Sequence, residues 1–221
     1  MIEQEIKAIT AELPKGVKLV AVSKVHPEEA IMEAYEAGQR VFGESHVQEL
    51  QRKHEQLPKD IEWHFIGHLQ TNKVKYLAPY VSLIHAVDSL RLLAEISKQG
   101  ERCGRRIPCL LQLHVAQEET KFGFLPEEAD EFLREGDWRE MKGAQIKGIM
   151  CMASLTNNEV QVAQEFERAQ RFFTHARDTY FKDDPDFCEC SWGMSDDYKI
   201  ALRHGTTMVR IGSKIFGQRQ Y

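Results

Sequence analysis

Taken as a pattern of hydrophobic and polar positions, the 221-residue chain switches repeatedly between two periods. Short runs that are apolar at consecutive or alternate positions predict strands: "VKLVAVS", "RVFGE", "IEWHFIG", "SLIHAVD", "PCLLQLHVA", "QIKGIMCM", "FCECSWGM" and "TMVRIGSKIFG". Between them, apolar residues spaced three and four apart predict helices over residues 27–38, 45–56, 70–77, 89–98, 126–135, 158–180 and 196–204, with an opening helix over 2–13. Local signals mark several of the ends. "HP" before "EEAIMEAYEAG" sets a proline and two glutamates at a helix start and a glycine after its end. "DS" precedes "LRLLAEISK", and "MSDD" precedes "YKIALRHG", where Asp196 and Asp197 would cap free N–H groups.

Strands that are apolar at consecutive positions are expected where a parallel sheet is covered on both faces. Strand–helix alternation along the whole chain therefore predicts an α/β fold. Eight units in 221 residues average about 27 residues each, which suits a small (β/α)8 TIM-type barrel. An open doubly wound sheet is the alternative, but its nucleotide fingerprint is absent: the first strand leads into "SKVHPEE" instead of GxGxxG. With no Pro/Gly/Ser linker or low-complexity tract, residues 1–221 are expected to form a single domain, with "KQGERCGRR" as a solvated connection.

Composition narrows the classes of partner. Hydrophobic residues at 42% and charged residues at 29% suit a globular protein with a core, and a net charge of −5 offers nothing to nucleic acid or an anionic membrane. No apolar run nears the roughly 18 residues of a membrane span, and "MIEQEIKAIT" lacks a signal-peptide core. Five cysteines without a CxxC pair suggest reduced thiols and a cytoplasmic location. The "CEC" thiols, Cys188 and Cys190, read as structural.

In a barrel the chemistry sits where the strands end. The last two strand ends carry Gly/Ser turns: Gly193, Met194 and Ser195, then Gly212 and Ser213 just after Arg210. Glycines admit close backbone approach, and hydroxyl and N–H groups donate to anionic oxygens, so the two turns together suggest a phosphate cup. Lys24 ends the first strand, adjacent to the eighth after closure. It is either a snorkelling lysine or an amine of depressed pKa able to form a Schiff base. Lysine and cup together suggest pyridoxal 5′-phosphate (PLP), with Arg210 facing the pyridine nitrogen.

The stretches "AVSKVHP", "GQRVFGESHVQE", "WHFIGHLQTNK", "GIMCMA" and "WGMSDDYKIALRHGTTMVRIGSKIFG" resemble the YggS/PROSC family of pyridoxal-phosphate homeostasis proteins over about residues 17–217. The resemblance implies a barrel like the amino-terminal domain of alanine racemase, cofactor bound through Lys24, and a role in controlling free PLP without established catalysis. It implies Arg210 near the pyridine nitrogen, and phosphate contacts from Met194, Ser195, Gly212 and Ser213. Ser45 stands where asparagine is usual, His68 where proline is, and His114 where asparagine is. These departures bear on contacts beside the ring, with Ser45 the candidate there.

Other constellations are weaker. His64 and His68 have the spacing of a helical zinc pair but lack the glutamate of HExxH, so no metal is expected and His64 is placed at the barrel mouth. Lys121 reads as a solvated loop lysine. The remaining choice lies between a carrier or regulator of PLP and a racemase-like enzyme. A racemase needs an acid–base group on each face of the α-carbon, which alanine racemase completes with a tyrosine from a second domain. This chain, ending at Tyr221 just after the eighth unit, is expected to lack that domain, so the carrier is preferred. The implied partners are PLP, other B6 vitamers and PLP-acceptor enzymes, and the implied state is a monomer.

Overall fold

The eight strand runs close on one another in the computed structural model, which describes residues 1–117 and 122–218. In chain order the strands are β1 (Lys18–Val22), β2 (Val41–Glu44), β3 (Glu62–Phe65), β4 (Leu83–Val87), β5 (Ile107–His114), β6 (Ala144–Met152), β7 (Glu189–Met194) and β8 (Met208–Ile211). All neighbours pair in parallel, and β8 returns to β1 with Val20 beside Arg210 and Ala21 beside Ile211. The result is a closed (β/α)8 barrel, as the alternation of periods predicts.

The helices are α1 (Ile2–Glu12), α2 (Glu28–Glu36), α3 (Val47–Gln56), α4 (Val74–Leu77), α5 (Leu90–Arg102), α6 (Pro126–Glu135), α7 (Glu159–Tyr180), α8 (Tyr198–Leu202) and α9 (Ser213–Phe216). Their apolar stripes cover the outward residues of the strands in one continuous core that includes Phe42, Trp63, Phe65, Phe166 and Trp192. Inward residues form a second, smaller core of Val20, Leu83, Ala86, Leu110, Met150 and Met208. Because alternate strand residues face the same way, this inner row fixes which residues reach the mouth: His114 follows Leu110 on β5, Met152 follows Met150 on β6, and Lys24 follows Val20 on β1.

Two segments depart from the sequence reading. "TMVRIGSKIFG" is strand only to Ile211, and its tail is α9. Four apolar-rich residues after a glycine do not distinguish the two states by period. "KQGERCGRR" is no solvated connection through its length. Helix α5 continues to Arg102, and Gly100 lies buried so close to Gly143 that a Cβ there would stand 2.2 Å from the Gly143 carbonyl oxygen. Backbone packing, invisible in a charged stretch, extends this helix. Ser89 caps α5 as expected, accepting from Leu92 N–H at 3.3 Å. Lys121 and Tyr221 lie outside the described residues. Among the described residues no helix is long and apolar enough to cross a membrane.

Candidate functional site

The site grows from the carboxyl ends of β1, β2, β7 and β8. Strand β1 ends at Val22, and Lys24 and Val25 form a turn closed by His26 N–H donating to the Ser23 carbonyl at 3.1 Å. Val25 has φ +61°, the one left-handed non-glycine backbone among the described residues. A β-branched side chain is disfavoured there, so surrounding groups must impose the conformation. Lys24 itself is half-buried at the rim. Since Val20 lies beside Arg210, Lys24 stands above the level of Arg210, next to the turn that follows β8.

That turn begins with Gly212, which packs against the end of β1: a Cβ would lie 3.0 Å from the Val22 carbonyl oxygen. Gly212 N–H donates to Ser195 Oγ at 3.4 Å, so the turns after β7 and β8 share one rim as the sequence predicts. Gly193 adopts φ +96°, and a Cβ there would stand 2.6 Å from Ala201 Cβ of α8. Only glycine both takes this conformation and lets the β7–α8 turn close on the barrel. Ser195 is buried and Ser213 exposed.

Met194 and the two aspartates differ from expectation. Asp197 stands at the N-cap position of α8, yet its side chain makes no cap bond; instead Met194 N–H donates to Asp197 Oδ1 at 2.5 Å. The positive φ of Gly193 turns the Met194 N–H toward the start of the helix, and the carboxylate meets it. Burial pushes the Asp197 carboxyl up, offset in part by that N–H and by the charge of Arg210. Asp196 is exposed.

Beneath the cup, Arg210 is buried inside the barrel. One terminal nitrogen donates to the Ser191 carbonyl at 2.7 Å and to Ser191 Oγ, and the other donates to the Cys151 carbonyl at 2.9 Å. Ser191 Oγ lies 2.9 Å from His85 Nδ1, and His85 Nε2 lies 2.9 Å from His64 Nδ1. Arg210 can only donate, so Ser191 Oγ accepts from it; with both rings neutral, Ser191 can donate to His85 and His85 to His64. Burial lowers His64 to about 3, aided by the positive charge of Lys18, and burial holds His85 well below its ordinary value, with His64 and Arg210 adding to the effect. His64 is thus not at the mouth. It is an interior residue of β3, 4% exposed, and the period-2 count that faces it inward says nothing of depth. His85, which sequence reasoning passed over, is its partner.

Ser45 follows β2 on the same rim, held by the close approach of Gly67, whose Cβ would fall 2.4 Å from the Ser45 carbonyl oxygen. His68 pairs with Asp88 at 3.2 Å and stacks on Phe122 with centroids 4.0 Å apart, so it belongs to the rim of β3 and β4. His114 points into the mouth from β5, and its N–H donates to the Phe124 carbonyl at 2.8 Å. All five cysteines are free thiols, and burial pushes Cys109 up to about 12.

This geometry fits a phosphorylated aldehyde. The amine and the hydroxyl-rich, glycine-opened cup lie on adjacent strand ends, with a buried cation one level below.

Comparison with known proteins agrees. The sequence profile described as alanine racemase, N-terminal domain, matches residues 1–220. The chain is 38% identical over 205 residues to the pyridoxal phosphate homeostasis protein of Aquifex aeolicus, covering 92% of this chain and 88% of the relative. It superposes on PipY of Synechococcus elongatus with a TM-score of 0.92 for the form without PLP and 0.89 for the form with PLP bound. Identities are 33% and 32%, and each comparison covers 98% of this chain and 100% of PipY. Alanine racemase of Clostridium difficile shares the fold at 14% identity and a TM-score of 0.76, over 100% of this chain and 56% of the racemase. The chain therefore belongs to the alanine racemase N-terminal domain family and, within it, to the pyridoxal phosphate homeostasis proteins.

Proposed function

We propose that this chain binds pyridoxal 5′-phosphate at the mouth of its barrel and serves intracellular PLP homeostasis as a carrier or regulator. The observation that carries the reading is the meeting of Lys24 with the paired Ser195 and Gly212 turns across the β8–β1 seam. When bound, the cofactor supplies an aldehyde that condenses with an amine with loss of water. Lys24 offers that amine. Ser195, Gly212 and Ser213 hold the phosphate, Arg210 stands below as a fixed donor toward the ring nitrogen, and Ser45 borders the ring. Met194 joins the phosphate donors once Asp197 turns away from its N–H.

Membership of the family supports this reading, as does a solved relative, PipY, with PLP bound. A carrier is favoured over a racemase because the described tyrosines stand in the outer helical layer and not at the mouth. Tyr35 donates to Asp60, Tyr180 to Asp130 and Tyr198 to Glu12, while Tyr76 lies on α4 and Tyr80 stacks on His54 of α3. The same reading extends to other B6 vitamers and PLP-acceptor enzymes as partners, a single PLP-binding domain, a monomer, and the cytoplasm, where five free thiols stay reduced.

Parallel titrations with pyridoxal 5′-phosphate and with pyridoxal, followed by visible absorbance, test the assignment. Ser195→Ala is expected to weaken binding of the phosphate ester about tenfold, the scale of one hydrogen bond to a charged group, and to leave pyridoxal unchanged. Arg210→Gln should weaken both. Equal loss of both ligands in Ser195→Ala would remove the phosphate cup, and racemisation of L-alanine by the loaded protein would move the reading to the enzyme.

A further inference from the structure

Behind Lys24, on the outer face of β1 and β2, lies a cluster that the site above does not use. Lys53 of α3 is fully buried, as is Glu44 at the end of β2. Lys53 Nζ donates to the Ser23 carbonyl at 2.8 Å, to Glu44 Oε1 at 2.8 Å and to Glu49 Oε1 at 2.7 Å. An ammonium has three protons, and each has an acceptor. Ser23 Oγ also donates to Glu44 Oε1 at 2.6 Å. Glu49 Oε1, the third acceptor, in turn accepts the Val25 N–H at 2.7 Å. The residues on both sides of Lys24 are therefore tied to one buried ammonium, Ser23 directly and Val25 through Glu49.

The conformation being held is the strained one. Ser23 to His26 is a four-residue turn with its closing hydrogen bond, and positive φ at its third residue is the mark of a type II turn, which favours glycine or asparagine. Here that residue is valine. Nothing in local propensity selects this turn, so the groups that hold it must outweigh the strain.

Stability alone gives a poor account of the cluster. Buried ion triads can often be replaced by apolar residues of similar volume without loss, and their best-attested use is to select one conformation. Charge distribution agrees with a clamp. Burial alone raises Glu49, but the hydrogen bond and charge of Lys53 and the Val25 N–H outweigh it and leave the carboxyl below its ordinary range. Glu44, deeper, is raised by burial despite Lys53.

We propose that Lys53, Glu44 and Glu49 are positioning residues for Lys24, a clamp that holds the Ser23–His26 turn left-handed at Val25 and so aims the Lys24 amine into the barrel mouth. The inference rests on Lys24 being the reactive amine. The step it serves is attack of the neutral amine nitrogen on the aldehyde carbon, with water leaving as the C=N bond forms. The clamp sets direction and does not touch the reacting atoms.

The test mixes pyridoxal 5′-phosphate with the full chain and reads the rate of appearance of the visible band, followed by borohydride fixation and peptide mapping. Glu49→Ala removes the acceptor from Val25 while leaving the buried Lys53–Glu44 pair, and is expected to slow band formation about tenfold, as for a small misplacement of a reacting group. Glu49→Gln keeps an acceptor oxygen and should restore most of the rate. Adding Val25→Gly to Glu49→Ala should recover part of it, since glycine takes the left-handed turn unaided. Inhibition by inorganic phosphate, which reads the other side of the mouth, should be unchanged throughout. A merely structural role would give neither the glycine recovery nor the unchanged phosphate inhibition.

Glu49→Asp keeps the charge and withdraws the reach, serves if the alanine variant does not fold, and should be slow as well. Parent-like rates in Glu49→Ala or Glu49→Asp, with label on Lys24, would overturn the clamp and leave the Lys24 assignment standing. A parent that takes no label at Lys24 would overturn the assignment itself.

Discussion

On the β1–β2 side of the mouth, Lys24 rides a turn whose backbone is left-handed at a valine, and the groups behind it are charges removed from water: Lys53, Glu44 and Glu49. On the β7–β8 side the means are different. Glycines at 193 and 212 bring main chain and hydroxyl groups to the rim, and the cation beneath, Arg210, is fixed by carbonyl oxygens and Ser191. On the function proposed above, the difference follows from what each side has to meet. An amine that attacks one carbon must arrive from one direction, which a long flexible side chain achieves only if its backbone is held. A phosphate presents several equivalent oxygens and accepts from whatever donors surround it, so small residues and an open backbone suffice.

The comparison can be broken at three points. Largest in stability is Gly193→Val. It forces a branched residue to φ +96° and a Cβ toward Ala201, so the cost should reach about 2–4 kcal/mol in urea unfolding, combining backbone strain with overpacking. A parent-like midpoint would show that the β7–α8 turn does not need its glycine.

Acid comes second, through the neutral histidine pair under the cup. Folded His64 takes up its proton only near pH 3, whereas an unfolded histidine does so near 6.5. Between those values the unfolded chain holds more protons, so stability falls as pH falls, approaching about 1.4 kcal/mol per pH unit for each such histidine. Denaturant unfolding from pH 7.5 to 5 should show this slope, reduced in His64→Gln. A flat profile would mean that the pair is not buried and neutral.

The smallest effect sharpens the other side. If the Lys24 turn is held from behind, removing the side chain in front should leave the fold alone. Apo Lys24→Ala is expected to stay within about 0.5 kcal/mol of the apo parent by thermal unfolding. A larger loss would make Lys24 part of the packing instead of its passenger.

Much of this was legible in the pattern of residues. Apart from the tail of the eighth, the apolar runs ended close to where the strands end, and reading those ends brought Lys24, Ser195, Arg210 and Gly212 to one end of a barrel. Depth was not legible. The inward face of β3 places His64 inside, but only the closed barrel pairs it with His85 and Ser191, residues 21 and 127 positions further along the chain. Nor was the clamp. In "VQELQRKHEQL" a lysine looks like solvent-facing helix, yet Lys53 follows Val47 and Leu50 on the buried stripe that Leu57 continues. A charge on an apolar stripe, four residues after a glutamate, was the available signal. The turn of Asp197 toward Met194 had none, because it depends on where the positive φ of Gly193 aims an N–H.

The central claim is that the mouth of this barrel holds PLP through one lysine. Borohydride reduction of the protein with added pyridoxal 5′-phosphate, followed by peptide mapping, tests it most directly. The account predicts a single modified residue, Lys24, in the peptide that carries "AVSKVHP". Label spread over surface lysines, or absent from Lys24, would contradict it.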